Sequence, residues 1–161
     1  MLFIQWVPKR SRNFTLEVNG KEMSAIPENG YIYIDLNGKT EIKLTLDGTP
    51  QFIRASNKVP RLTGMTALMR GPLVYCFEAA DNGDVRSLLI DRSKTPSVGE
   101  YEPELLGGTV RLTAKAKRIN DCDDLYSDET ETPIPCDAVA VPYYTWGNRG
   151  EGDMRVWVNT V

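Results

Sequence analysis

Apolar and polar positions alternate in several short runs of this chain, with turn residues between them. Phe14-Thr15-Leu16-Glu17-Val18 puts Phe14, Leu16 and Val18 on one face, the pattern of a half-buried strand. Asn19-Gly20 follows, a dipeptide that favours a tight hairpin, and Lys21–Ile26 is the expected return strand. Tyr31–Leu36 and Thr40–Leu46 repeat the theme, set off by Pro27-Glu28-Asn29-Gly30, Asn37-Gly38 and Asp47-Gly48. Ile42, Leu44 and Leu46 share a face. Together with the apolar run Leu2–Val7, stopped by Pro8 and the basic Lys9-Arg10-Ser11-Arg12, these segments predict a β-meander with one buried face.

From Thr49 to Pro60 the alternation loosens, with Pro50 and Pro60 flanking Phe52-Ile53. The expected junction lies near Asp47–Gln51, so that residues 1–48 form a partial sandwich or meander and residues 49–161 a C-terminal β-sandwich domain. Leu73-Val74-Tyr75-Cys76-Phe77 is nearly continuously apolar. It is too short for an ordinary helix and reads as a central strand covered on both faces. Met65–Met69 predicts a strand before it, and Arg70-Gly71-Pro72 between them predicts a bulge or corner in one long strand. Val85–Ile90, Thr109–Lys117 with Val110 and Leu112 inward, Ala138–Val141 and Met154–Val158 complete the expected strands. Asp81-Asn82-Gly83-Asp84 reads as a turn, and Asp91–Glu104 and the acidic stretch Asn120–Pro135 as loops. No segment predicts a helix. The expected fold class is all-β, an antiparallel β-sandwich arrangement with a partial sandwich followed by a more complete one.

At 161 residues the chain can form one ordinary domain or two small ones. Its net charge is −3 and it has no basic run, so it lacks the electrostatic footprint of a nucleic-acid binder. No apolar run approaches the length of a membrane span, and Leu2–Val7 is too short for the core of a signal peptide. An export signal, if one exists, is expected on a longer parent or already removed. There is no histidine, which removes the usual Ser-His and Cys-His nucleophile arrangements and the commonest zinc ligand. Cys76, Cys122 and Cys136 are odd in number and form no Cys-x-x-Cys pair. A disulfide framework is not expected, although a Cys122–Cys136 bridge across the acidic loop stays open. Cys76 sits in an apolar strand with nothing beside it in sequence to lower its pKa, and reads as a buried, inert thiol.

Three constellations could carry chemistry. Asp121, Asp123, Asp124, Asp128, Glu129 and Glu131 could hold a cation or supply a carboxylate pair, but the spacing is not that of an EF-hand and a solvated loop is the simpler reading. Asp81-Asn82-Gly83-Asp84 could offer oxygens to calcium, with a hairpin turn as the plainer account. Val141-Pro142-Tyr143-Tyr144-Thr145-Trp146-Gly147-Asn148-Arg149-Gly150 is the richest segment. Tyr143, Tyr144 and Trp146 could stack on sugar rings while Asn148 and Arg149 bond hydroxyls. The favoured alternative is that these aromatics plug the core, Asn148–Gly150 makes a turn, and Arg149 bridges to a neighbouring loop or domain. A hydrolytic role for Glu78 with an aspartate needs two carboxylates roughly 5 to 9 Å apart, and nothing in the sequence places such a pair.

The stretch Arg70–Glu78 with Asp81-Asn82, then Leu105-Leu106-Gly107-Gly108, then Val141–Gly150 with Met154-Arg155-Val156-Trp157, resembles in that order the C-terminal region of glycoside hydrolase family 127. This is the β-L-arabinofuranosidase-like family once called DUF1680. Val18-Asn19-Gly20 followed by Gly30-Tyr31 is similar to the sandwich that precedes that region. The likeness covers the last ~110 residues well and the first ~45 more weakly. It implies a bacterial protein, cytoplasmic or periplasmic, whose parent enzyme carries an (α/α)6 barrel with a zinc-bound cysteine nucleophile and an acid-base glutamate. Nothing in this chain matches that barrel, so no catalytic residue and no cofactor is assigned to it, and zinc is expected only in the absent barrel. The resemblance gives Arg70, Gly71, Pro72, Tyr75 and Glu78 a structural role. It makes the barrel the expected partner, with a carbohydrate-binding module as the alternative reading and no nucleic-acid or membrane partner. The match begins partway into the first sandwich, which implies missing leading strands; open edges would then favour self-association.

Overall fold

In a computed structural model the described residues are 2–7, 13–36, 38–120, 125–128 and 132–161, with only the backbone described for 2–6. They divide into two compact units, Met1–Thr49 and Pro50–Val161. Both are built from strands, and the fold is all-β.

The first unit holds β1 (Leu2–Trp6), β2 (Phe14–Val18), β3 (Lys21–Glu22), β4 (Tyr31–Asp35) and β5 (Ile42–Leu46). β1 and β4 pair antiparallel as a ribbon, and β3, β2 and β5 form a second small sheet. Asn19-Gly20 turns β2 into β3, with Val18 opposite Lys21. Alternation puts Leu16 from one sheet and Ile32 and Ile34 from the other into a shared core, with Val7 buried beside them. The return strand is shorter than Lys21–Ile26: regular pairing stops at Glu22, although Met23 and Ala25 still pack against the core.

The second unit holds β6 (Pro50–Arg54), β7 (Met65–Arg70), β8 (Leu73–Glu78), a one-turn helix α1 (Ala79–Asn82), β9 (Leu88–Ile90), β10 (Ser97–Glu102), β11 (Thr109–Arg118), β12 (Ile134–Pro142), β13 (Met154–Arg155) and β14 (Val158–Thr160). The hydrogen-bonded order runs β8-β12-β11-β9-β14-β7, and β7 pairs back onto β8, so the pairings close on themselves. β6, β10 and β13 hang on this ring at β7, β11 and β8. Among the described residues all pairings are antiparallel except β14 with β9. Inside lie Leu68, Tyr75, Phe77, Leu88, Ile90, Leu112, Ala114, Ala116, Ala138, Ala140 and Val158. The alanines of β11 and β12 leave room for the rings of β8, the large-against-small packing that fills a tight β core.

Several expectations change here. Arg70-Gly71-Pro72 is not a bulge in one strand: β7 and β8 are antiparallel neighbours, with Arg70 opposite Leu73 across a two-residue turn. Gly71 has φ +55, at the first central position of a hairpin where only glycine is unstrained. Phe52-Ile53 belongs to a strand, and its Pro50 is tolerated because β6 is at the edge and Pro50 opens it. The expected loop Asp91–Glu104 contains β10, whose residues are mostly exposed and therefore carry no alternation. Asp81-Asn82 lies in α1 rather than in a hairpin turn. Val85–Ser87 is a 3-10 turn, so the strand there is only Leu88–Ile90. The last expected strand is split into β13 and β14.

Candidate functional site

The motif residues meet at the end of β8. β8 is buried, and its last residue, Glu78, ends an apolar strand with a carboxylate whose side chain is 8% exposed. Asp81 follows on α1, with its side chain 12% exposed. A buried carboxylate requires a counter-charge, and Arg149 supplies it from the loop after β12. Its Nε donates to Glu78 Oε2 at 2.9 Å and its Nη1 to Asp81 Oδ1 at 2.9 Å, while Nη2 sits between the two carboxylates. The hydrogen bonds to Asp81 and Glu78 outweigh burial and hold the Arg149 guanidinium above its ordinary pKa. Asp81 also faces Arg111 at 3.9 Å, and Arg111 grips Glu102 with two bonds of 2.7 and 2.9 Å. One charge chain thus joins β8, α1, β10, β11 and the 147–150 loop.

That loop is fixed from within. Pro142 closes β12, and its carbonyl accepts from Thr145 Oγ1 at 2.6 Å. Tyr143–Thr145 makes one 3-10 turn, and the Trp146 amide donates to Tyr143 O at 3.1 Å. Asn148 Nδ2 donates to Thr145 O at 2.9 Å, and the Gly147 amide to Glu78 Oε1 at 3.1 Å. Nearby, the buried Asn82 acts as a surrogate strand neighbour: Oδ1 accepts from the Val139 amide at 2.9 Å, and Nδ2 donates to Val139 O at 2.8 Å. Arg118 donates to the carbonyls of Asn82 and Asp84 and to Ser87 Oγ, satisfying the acceptors at the end of α1. At the hairpin end of β8, the Tyr75 hydroxyl donates to Val110 O at 3.1 Å. Burial raises the Tyr75 pKa, with a hydrogen bond from Arg70 opposing it.

The aromatic side chains do not plug the core, contrary to the favoured sequence reading. β8 already fills it with Tyr75 and Phe77, and the turn after Pro142 leads the chain off the sheet. Tyr143, Tyr144 and Trp146 are 46%, 65% and 46% exposed. Tyr143 and Trp146 stack with their planes 15° apart and centroids 6.2 Å apart. Tyr143 also borders an open groove of about 580 Å³, lined further by Val74, Met154, Arg155, Val156 and Trp157. Asn148 and Arg149 are not left free for hydroxyls: Asn148 Nδ2 bonds Thr145 within the loop, and Arg149 bridges from the loop to Glu78 on β8 and Asp81 on α1, in keeping with the favoured reading of it as a bridge.

Hydrolytic and metal chemistry find little support. Glu78 and Asp81 do form a carboxylate pair, but on one guanidinium, and the adjoining cavity measures about 20 Å³, room for one water rather than a sugar. Cys76 is buried, and its thiol is pushed up to about 12 by burial and then by the charge of Glu78. Asp81 is bound to Arg149, and Asp84 Oδ1 accepts from the Arg86 amide and Nε; neither is arranged for calcium. Among the described residues no group of three or more His, Cys, Asp or Glu side chains is placed to hold a metal ion, so they do not fit zinc. Asp121, Asp123, Asp124, Glu129, Glu131, Cys122 and the basic Lys9, Arg10 and Arg12 lie outside the described residues.

The sequence reading missed Asn82, Arg111 and Arg118 as organisers. The available signal was the buried strand ending on Glu78 with Asp81 one turn later, which demands cations from elsewhere in the chain.

Residues 50–159 match the family profile described as the glycoside hydrolase family 127 C-terminal domain. The chain is 40% identical over 162 residues to a non-reducing end β-L-arabinofuranosidase of Bifidobacterium longum subsp. longum, covering 94% of this chain and 25% of that protein. A crystal structure of a family 127 β-L-arabinofuranosidase from Geobacillus stearothermophilus T6 superimposes with a TM-score of 0.87 at 33% identity, covering 99% of this chain and 26% of that one. A second family 127 β-arabinofuranosidase gives 0.78 at 28% identity, over 98% of this chain and 25% of that one. The chain therefore spans about a quarter of the length of the relatives it matches.

Proposed function

The chain belongs to glycoside hydrolase family 127, with residues 50–159 as that family's C-terminal domain, and on this premise we propose that it is the non-catalytic accessory β-sandwich region of a β-L-arabinofuranosidase-like enzyme. In this role it packs on and stabilises a catalytic barrel located in the rest of that enzyme. The observation that carries the reading is the match to the C-terminal domain by a chain spanning a quarter of its relatives' length. The closed carboxylate pair supports it: Glu78 and Asp81 are committed to Arg149 and have no room for a sugar. The metal and the nucleophile belong, in this reading, to the barrel.

An immunoblot of source-cell lysate, with an antibody against this chain, tests the proposal. The expected result is a denatured band several times heavier than 18.1 kDa, or an 18.1 kDa band that co-precipitates a family 127 catalytic polypeptide. A lone 18.1 kDa band without such a partner would overturn it.

A second reading, a carbohydrate-binding module with Tyr143, Tyr144 and Trp146 as its platform, is favoured by the exposure of those rings. The engagement of Asn148 with Thr145 and of Arg149 with Glu78 and Asp81 weighs against it. A neutral-oligosaccharide titration that leaves the Trp146 fluorescence unmoved would remove it.

A further inference from the structure

The accessory role does not say which face of the domain meets the rest of the enzyme. We infer that it is the aromatic face formed by Tyr143, Tyr144 and Trp146 together with the adjoining groove, and that its occupant is the remaining three quarters of the family 127 polypeptide, as one chain or as a separate subunit. The inference rests on the accessory reading and adds a surface to it.

Four observations support it. First, the apolar material is concentrated. Tyr143, Tyr144 and Trp146 are each more than a third exposed, and Tyr143 joins Trp146 to a groove walled by Val74, Met154, Val156 and Trp157. A soluble protein rarely leaves a large contiguous apolar surface uncovered, and when it does the surface usually marks a binding face. Tyrosine, tryptophan and methionine are also the residues enriched at the centres of protein interfaces.

Second, the face is rigid before anything binds. The 3-10 turn is closed by Thr145 on Pro142, and the chain after it is tied to Glu78 by the Gly147 amide and to Glu78 and Asp81 by Arg149. A preformed surface loses less conformational freedom on association, which suits a permanent interface.

Third, the polar equipment is wrong for a sugar. A sugar ring offers hydroxyls all round its edge and needs donors and acceptors beside the stacking ring. Asn148 Nδ2 bonds Thr145, and Arg149 Nε, Nη1 and Nη2 all bond carboxylates. Arg155 is the one charged residue lining the groove. An apolar protein surface needs no more than that.

Fourth, there is a partner of the right size to cover it: about three quarters of each relative's length lies outside the region this chain matches.

Hydroxyl-radical footprinting with mass spectrometry tests this on two samples. One is the polypeptide immunopurified from source cells with whatever co-precipitates. The other is the isolated 161-residue chain, kept at concentrations where sedimentation shows monomer, with the radical dose normalised by an added reporter peptide. The expected result is that Tyr143, Tyr144 and Trp146 are oxidised several-fold more slowly in the native sample than in the isolated chain. Equal rates in a native sample that does contain a family 127 catalytic polypeptide would overturn the surface and leave the accessory role standing. A native sample holding only the 18.1 kDa chain would overturn both. Protection of the isolated chain's rings by neutral oligosaccharides, with no protection in the native sample, would overturn the inference in favour of a sugar platform.

Discussion

The two units use their polar residues differently. In the first, the core is made mainly by alternation: Leu16, Ile32 and Ile34 face inward between two small sheets, and the charged pair Lys43–Glu17, 3.2 Å apart, lies on the surface. In the second, a larger apolar core is supplemented by a nearly buried ion pair that ties a strand end, a one-turn helix and a distant loop together. A surface pair contributes little to stability, whereas a buried pair is costly to break because the orphaned charge stays behind. The first unit is therefore specified by pattern, and the second by pattern plus a few individually necessary side chains.

The sharpest way to break this contrast is to remove Arg149. Arg149→Met leaves Glu78 and Asp81 facing each other without a cation, and the expected loss is about 3–5 kcal/mol in urea unfolding of the second unit. Adding Glu78→Gln and Asp81→Asn to Arg149→Met should restore a good part of that loss, because the orphaned charges are gone. Lys43→Met in the first unit should cost less than about 1 kcal/mol. Equal costs for Arg149→Met and Lys43→Met would erase the distinction. Next in size is Leu16→Ala, with an expected cost of about 3 kcal/mol from lost burial and a cavity. Its signature is local: amide exchange at Ile32 and Ile34 should accelerate while Ala114 and Ala138 keep their protection. Loss of protection in both units together would mean that they share one cooperative core.

The same contrast explains what could be read in advance. β2, β4 and β5 were legible because each has one wet and one dry face. β8 was legible as a buried apolar run, and its place in a closed ring of pairings was not. β10 escaped because its Ser97–Glu102 side chains lie mostly in water and only hydrogen bonds to β11 define it. At Arg70-Gly71-Pro72, the residues fit a corner or a hairpin equally well; what separates them is whether β8 returns along β7, a pairing fact that local sequence does not hold. The site divides the same way. Arg149 was singled out as a bridge, but Glu78 lies 71 positions away, and composition cannot choose between acidic partners at that distance. The exposure of Tyr143 and Trp146 was misread because aromatics usually fill cores, and nothing local reveals that Tyr75 and Phe77 had already filled this one.

Two changes of intermediate size probe the second unit without touching its ion pair. Cys76 has its thiol raised to about 12 in the folded state, against roughly 8.5 for an unperturbed thiol. A raised folded pKa means that its contribution is complete below the unfolded value and fades as pH rises toward 12. Stability should therefore fall between pH 9 and 10 by about 1 kcal/mol more in the native sequence than in Cys76→Ala, as seen in urea midpoints at each pH. Parallel curves would show that Cys76 is not kept neutral by the fold. Gly108 has φ +99, and an added Cβ would stand 2.0 Å from the Tyr101 hydroxyl. Tyr101 is exposed and can swing aside, so the lasting cost of Gly108→Ala is the left-handed backbone, about 1–2 kcal/mol, measurable by thermal unfolding.

The smallest expected effect is the most discriminating. Trp146 sits one residue from Gly147 and three from Arg149, in the loop that the ion pair holds, and it is 46% exposed while also bordering the small cavity beside Glu78 and Arg149. If the loop's inward face stabilises the domain and its outward face serves a partner, the two should separate by substitution. Trp146→Ala in the isolated chain removes a ring whose burial is incomplete and whose neighbour Tyr143 can stay where Pro142 and Thr145 hold it. Its unfolding free energy should shift by about 1 kcal/mol, the order of one partly exposed aromatic pair, while Arg149→Met a short step along the loop costs several times more. A Trp146→Ala loss as large as that of Arg149→Met would place the ring in the domain's own packing and leave the aromatic face nothing to offer a partner.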